Sequence, residues 1–267
     1  AACGGAVPFL HNLELAREND EIYSLGGILN GTTNYMLDMM QSEGLDYDAA
    51  LKDAQALGYA EADPTADVSG LDALRKIMLG CAVAYDILPE DGLLNEGIES
   101  LRAADAADIK RRGLTCRPLA KGGKNADGSI YAYVQPVLLG ADAPECAVKK
   151  NFNMAKYHGK NSGDIVLMGQ GAGRYPTAYN VVQDLVDITR GVHAFYTDSF
   201  VPAVPDNAGV QHRYYVRTRA ALPELAALAE GDWDGAVITQ PIPVSRMHAL
   251  MAQALEQDGE SFFAALQ

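Results

Sequence analysis

The chain has 267 residues, of which 48% are hydrophobic and 21% charged. Those are ordinary figures for a soluble globular protein able to build one large core or two moderate ones. A formal net charge of -14 repels phosphate backbones and argues against nucleic acid as a partner. No apolar run has bilayer length and no leader-like segment opens the chain, so the expected address is cytoplasmic with no membrane partner. Cys3, Cys81, Cys116 and Cys146 show neither CxxC nor zinc-module spacing; they read as free thiols of a reducing compartment. His11, His158, His193, His212 and His248 are scattered, without metal-ligand spacing, and read as structural or surface residues.

A glycine-rich turn leads into a helix with Phe9, Leu10, Leu13 and Leu15 at its apolar positions. "EIYSLGGILNG" reads as a strand ending in a polar turn. "TTNYMLDMMQSEG" reads as a helix, and "DYDAALKDAQALGYA" as a second helix stopped by Gly58. Ser69 with Asp72 three positions on has capping-box spacing, so a long helix is expected from near Ser69 to about Tyr85. Residues 86–130 are mixed, with a turn at "KGGKNADGS", and "IYAYVQPVLLG" is the clearest strand. "DIVLMGQGAGRYPTAYNVVQDLVDITRG" reads as strand, glycine turn and helix. "VPAVPDNAG" (201–209) has the composition of a linker. Beyond it a strand, short helix, strand and helix form a small βαβα tail. The class is therefore α/β or α+β, a mixed β-sheet covered by helices. No strand is followed by GxGxxG and a helix with an acidic residue about twenty positions on. "GQGAG" (169–173) alone is a tight turn before a helix.

The stretch "GYAEADPTADVSGLDALRK" (58–76) concentrates Glu61, Asp63, Asp67 and Asp72 before Lys76. Asp72 and Lys76 are four apart and share a helix face. On spacing alone they form a surface ion pair, worth about 0.3–0.5 kcal/mol. The rest of the helix argues otherwise: "IMLGCAVAY" carries no charge, so the helix is expected to be buried. A lysine and an aspartate on such a helix must be paired or must line a cavity. Pro64 holds Asp63 extended, letting the loop aim Glu61 and Asp67 at the helix start. Carboxylates beside one lysine suit a small substrate with an ammonium group and a reacting oxygen. Asn30 and Thr32, after the first strand, either position a ligand or cap the next helix.

"GGILNGTTNYML" and "LGYAEADPTADVSGLDALRK", in this order and separation, resemble homoserine dehydrogenases. "MGQGAGRYPTAYNVVQDLVDI" and "GGAVPFL" resemble further segments of that family, so the resemblance spans residues 1 to about 190. It implies NAD(P)-dependent interconversion of homoserine and aspartate semialdehyde, usually in a homodimer. It makes Lys76 the proton relay, Glu61 and Asp72 the carboxylates that hold substrate, and Asp67 a supporting acid. Gly58, Glu61 and Gly173 would approach the nicotinamide side of the coenzyme. The backbone carbonyls of Cys3, Gly5 and Val7 would hold a monovalent cation, usually sodium.

The family's amino-terminal dinucleotide-binding domain has no counterpart in this sequence, so the resemblance implies a portion of a longer enzyme with little activity alone. Residues 1–205 correspond to a substrate-binding, catalytic and dimerisation domain. Residues 206–267 resemble a truncated ACT domain, a βαββαβ module that binds regulatory amino acids. There, Glu224 replaces the usual glycine and the middle strands are short. A non-catalytic regulatory or interaction protein on this fold, and a different semialdehyde dehydrogenase, remain alternatives.

Overall fold

The chain order begins α1 (Phe9–Arg17), β1 (Ile22–Ile28), α2 (Gly31–Ser42), α3 (Tyr47–Ala56), α4 (Thr65–Val68) and α5 (Leu71–Tyr85). It continues β2 (Ile87–Pro89), β3 (Leu94–Asn95), α6 (Ala103–Arg111), β4 (Thr115–Lys124) and β5 (Ile130–Leu139). A 3-10 turn at Pro144–Ala147 precedes β6 (Phe152–Gly159), β7 (Gly163–Gln170), α7 (Arg174–Thr189) and β8 (Val201–Ala203). The last elements are β9 (Gln211–Arg217), α8 (Pro223–Ala227), β10 (Ala229–Trp233), β11 (Ala236–Thr239), β12 (Ile242–Pro243), α9 (Val244–Gln257) and β13 (Phe262–Leu266). This computed structural model describes residues 3–192 and 200–267, so His193 lies outside the described residues.

One mixed sheet organises the chain, in the order β10-β11-β9-β13-β5-β4-β1-β6-β7, with β12 beside β9 and β3 beside β5. Strand alternation sorts its side chains into two layers. Cys116, Leu138, Tyr215, Phe262 and Ala264 join the core that includes residues of α2, α3 and α6. Ala120, Ala132 and Val134 continue that layer against α1 and α5. The alternate residues Leu119, Val137, Tyr214, Val216 and Phe263 face α8 and α9. The same sheet therefore carries helices on both faces at its β9–β13 end. Toward β6 and β7 the second face is open, with Val166 44% and Met168 57% exposed.

Several elements differ from the sequence expectation. Gly70, not Ser69, occupies the N-cap of α5, and no side chain caps that end. Strands β4 and β6 lie in stretches with no regular apolar alternation: β4 holds Arg117, Pro118 and Lys121, yet nearly all of it is buried in the sheet. The segment 201–209 is held in place rather than loose. In it β8 pairs in parallel with β2, Asp206 N–H donates to the Ile130 carbonyl at 2.7 Å, and Asn207 Oδ1 accepts from Ala132 N–H at 3.0 Å. Beyond it, β9, α8, β10, β11, the two-residue β12, α9 and β13 give the order βαβββαβ, three strands more than the expected βαβα. Strand β10 was illegible because AEGDW is polar and largely exposed. The four cysteines are free thiols, and three of them are buried. Among the described residues no helix is long and apolar enough to cross a membrane.

The tail is welded to the rest. Strand β13 pairs antiparallel with β9 and parallel with β5. Buried Asp105, in the first turn of α6, accepts from Arg217 Nε at 2.7 Å, Tyr215 Oη at 3.0 Å and Arg102 N–H at 2.9 Å. Replacing Asp105 with alanine leaves a guanidinium and a phenol short of their acceptor. The Asp105→Ala variant is expected to lose about 3–5 kcal/mol of unfolding free energy in urea titration.

Candidate active site

Strand β1 ends at Ile28, and the next residues turn the chain into α2. Asn30 is the N-cap of α2, extended at φ -125°. Its Oδ1 accepts from the Thr33 backbone N–H at 2.9 Å and from Thr33 Oγ1 at 2.9 Å. The other end of the same amide is free for another task. Asn30 Nδ2 donates to Asp67 Oδ1 at 2.7 Å and to Asp72 Oδ2 at 2.8 Å. One side chain thus caps a helix and bridges two carboxylates from α4 and α5.

Lys76 completes the group. Its Nζ donates to Asp72 Oδ2 at 2.6 Å and to the Leu29 carbonyl at 2.9 Å. The Lys76 side chain is 19% exposed and that of Asp72 30%, so this is a half-buried pair rather than the surface pair that spacing alone suggests. Lys76 also lines a cavity of about 210 Å³ with Gly4, Gly5, Gly171, Thr177 and Asn180. An ammonium has three N–H donors, and acceptors among the described residues take two of them. Asp72 Oδ1 accepts no hydrogen bond among the described residues. Burial raises the Asp67 carboxyl above its ordinary range, against the lowering effect of the Asn30 hydrogen bond.

Backbone geometry fixes the surroundings. Gly70 sits at φ +81°, and a Cβ there would lie 3.1 Å from the Glu96 carbonyl oxygen; only glycine starts α5 this way without strain. A Cβ on Gly171 would lie 2.1 Å from Asn153, which in turn donates to the Leu29 carbonyl at 3.1 Å. The "GQGAG" turn is thereby packed against the carbonyl that holds Lys76.

The other predicted residues fall around this centre. Glu61 is exposed in the loop before α4. That loop is tethered by Thr32 Oγ1 donating to the Tyr59 carbonyl at 2.6 Å and by Gln55 Nε2 donating to the Glu61 carbonyl at 3.1 Å. Gly58 is the left-handed stop of α3 at φ +73°, and Gly173 stands at the N-cap of α7 at φ +125°. Cys3 is buried with its Sγ 4.0 Å from the Lys76 carbonyl oxygen, and burial pushes its thiol up to about 11. The Gly5 carbonyl accepts from Asn180 Nδ2, and the Val7 carbonyl accepts from Phe9 N–H at 2.9 Å. Among the described residues no His, Cys, Asp and Glu cluster could hold a metal ion. Sequence reasoning flagged Asn30 without choosing between cap and ligand residue, and the structure makes it a cap that also ties the carboxylates. Asn153 and Asn180 were missed; a lone asparagine in a strand or helix carries no signal of which loop will pack on it.

A mixed sheet with paired carboxylates and an ammonium beside a glycine turn is the build of a domain that holds a small polar molecule. Comparison with known proteins narrows this. The family profile described as homoserine dehydrogenase matches residues 8–186, and the chain belongs to that family. The homoserine dehydrogenase of Bacillus subtilis is 39% identical over 204 residues, covering 75% of this chain and 47% of that protein. That of Synechocystis is 37% identical over 219 residues, covering 80% of this chain and 50% of the relative. The chain thus spans about half the length of these curated relatives. The crystal structure of the Thiobacillus denitrificans homoserine dehydrogenase matches with a TM-score of 0.82 at 29% identity, over 99% of this chain and 68% of that one. A hyperthermophilic archaeal homoserine dehydrogenase in complex with NADPH matches with a TM-score of 0.60 at 29% identity, over 72% of this chain and 55% of that one.

The double duty of Asn30 gives a pH test. In Asn30→Asp the capping oxygen survives, but the amide donor becomes a third carboxylate beside Asp67 and Asp72. Like charges raise the folded-state pKa values above the unfolded ones. The resulting destabilisation is full at neutral pH and fades as pH falls through those raised values. Urea unfolding of Asn30→Asp and wild type should therefore differ most near pH 7 and converge toward pH 4. Asn30→Ala loses the cap and the donor together, so it should stay about 1–2 kcal/mol below wild type even near pH 4, where the carboxylate repulsion fades, and fall further below near pH 7.

Proposed function

We propose that this chain is the substrate-binding and catalytic part of a homoserine dehydrogenase, interconverting homoserine and aspartate semialdehyde with NAD(P). The observation that carries the proposal is the Asn30–Asp67–Asp72–Lys76 arrangement, built from the family's segments. Bound coenzyme supplies or accepts the hydride at the substrate carbon. The chain's own task is the oxygen and the ammonium of the amino acid.

As hydride reaches an aldehyde, negative charge grows on its oxygen, and the Lys76 N–H not taken by Asp72 and Leu29 can meet it. Lys76 then gives up that proton, which leaves the substrate hydroxyl neutral. In the reverse direction, neutral Lys76 accepts it. Asp72, with one oxygen that accepts from no donor among the described residues, and Glu61, on the tethered loop, are suited to grip the substrate ammonium. Asp67 backs Asp72 through Asn30 and keeps the acidic edge in register.

Gly58, Glu61 and Gly173 are proposed to lie toward the nicotinamide. The glycines fit this because a backbone without Cβ admits close approach. The exposed apolar residues of α7, which include Tyr175, Tyr179, Val182, Leu185 and Ile188, support packing against a further coenzyme-binding part. The open sheet face near β6 and β7 supports a homodimer. The cation expectation has the least support, because Asn180 and Phe9 engage the Gly5 and Val7 carbonyls; no step is routed through a cation. Apart from the two-residue β12 the tail has the order βαββαβ, which supports its reading as an ACT-like module, and cytoplasmic residence fits the four unpaired thiols.

The test is homoserine oxidation with NAD⁺ and with NADP⁺ by this chain and by the complete gene product. The complete product should reduce the coenzyme, whereas this chain alone should show little turnover. Lys76→Ala in the complete product should lower kcat by about 10²–10⁴-fold with a smaller change in KM. Wild-type turnover in that variant would remove Lys76 from the mechanism.

A further inference from the structure

A fully buried asparagine stands behind the carbonyl that holds Lys76. Asn153 in β6 has no exposed surface. In the antiparallel register Ile28 faces Met154, which puts Asn153 beside Leu29, where β1 has ended. Asn153 Nδ2 donates to the Leu29 carbonyl at 3.1 Å. The opposite amide orientation would set oxygen against oxygen, so this bond decides which end of the amide points at Leu29. Oδ1 then faces Gly31 and Gly171 and has no hydrogen-bond partner among the described residues. A buried acceptor without a partner costs stability. A leucine would fill the same space without that cost. What offsets it lies at the donor end of the amide.

That donor acts on one peptide plane with two duties. A carbonyl oxygen has two lone pairs. At Leu29 they serve Lys76 Nζ at 2.9 Å and Asn153 Nδ2 at 3.1 Å. A peptide unit is planar, so holding this carbonyl also holds the N–Cα bond of Asn30. Asn30 in turn donates to Asp67 Oδ1 and Asp72 Oδ2, and Asp72 Oδ2 is the other acceptor of Lys76. Both acceptors of Lys76 are therefore referred to the plane that Asn153 holds. A neutral amide does this without adding a charge that would compete for the ammonium. Asn153 also meets the glycine turn: a Cβ on Gly171 would lie 2.1 Å from Asn153 Cγ, and Gly171 lines the cavity that Lys76 enters. One side chain thus ties the turn, the end of β1 and the lysine into a single arrangement.

We propose that Asn153 is a positioning residue for the reaction at Lys76: by fixing the Leu29–Asn30 peptide plane it sets the direction from which Lys76 Nζ meets the substrate oxygen. This rests on Lys76 acting as the proton relay. The test uses the complete gene product and Asn153→Leu, which keeps the volume and removes the donor, with the folded fraction followed by circular dichroism. Per folded molecule, kcat for homoserine oxidation should fall by about 10–10²-fold with KM nearly unchanged. A wild-type kcat per folded molecule overturns the proposal, as does a change confined to KM. Lys76→Ala in the same assay separates the two readings. Wild-type turnover in Lys76→Ala removes the relay and this role with it. Loss of turnover in Lys76→Ala but not in Asn153→Leu removes the positioning role alone. The double variant adds a signature that a merely structural role does not give. An effect exerted through Lys76 shrinks in the Lys76→Ala background, and full additivity of the two losses overturns the proposal. NMR needs no Asn153 variant: because both donors share one carbonyl, the Asn153 side-chain amide signals of this chain should shift in Lys76→Ala, and unmoved signals overturn the coupling.

Discussion

A lysine ammonium that is mostly withdrawn from water must be surrounded by acceptors, and the architecture around α5 follows from meeting that requirement at Lys76. The acceptors come from two places far apart in sequence, the Leu29 carbonyl at the end of β1 and the Asp72 carboxylate one turn earlier in α5. Bringing them together requires α5 to lie against β1, and its apolar residues Leu74, Ile77 and Cys81 share a core with Leu25 and Leu29 of that segment. The polar centre is therefore positioned by hydrophobic packing, which orients the helix whose first turns make these hydrogen bonds. Asn30 adds the constraint that two carboxylates stay near one another. Without a donor between them, Asp67 and Asp72 would repel.

This arrangement also accounts for which sequence signals were legible. Charge placed on an otherwise apolar helix marks a site, because burial turns an ordinary (i, i+4) pair into one that must be satisfied. That logic reached Asp72 and Lys76 from residues 71–85 alone. It did not reach Asn153 or the Leu29 carbonyl, since a backbone acceptor has no sequence signature and an asparagine in β6 looks like any polar strand residue. The start of α5 shows the same limit in miniature. Ser69 and Asp72 have capping-box spacing, but tertiary packing of Gly70 against the Glu96 carbonyl decided the turn.

The fold divides likewise. Helices with clear periodicity and the apolar strand β5 were readable. Strands β4 and β6 were not, because their lysines, arginine and asparagine serve a buried polar layer that breaks alternation. The tail was readable as alternating strand and helix, while β10 escaped because an edge strand with one solvated face needs little apolar character. What the sequence could not reveal was continuity: β13 inserts beside β5, so the tail extends the main sheet.

Lys76 and Lys121 make an instructive pair, since both are largely withdrawn from water and lie on opposite sides of the same sheet. Lys76 has a carboxylate and a carbonyl fixed by the fold, so its position is set before any ligand arrives. Lys121 sits beside Gly26 with Lys156 and Glu145 nearby, and burial, then Lys156, depresses its pKa against the effect of Glu145. The first environment costs the folded chain little and prepares a donor. The second leaves the desolvation of a lysine without a hydrogen bond or ion pair among the described residues to offset it. The physical difference lies in the register of one strand: β1 brings the Leu29 carbonyl to Lys76 at its end, and at Gly26 it brings nothing to Lys121.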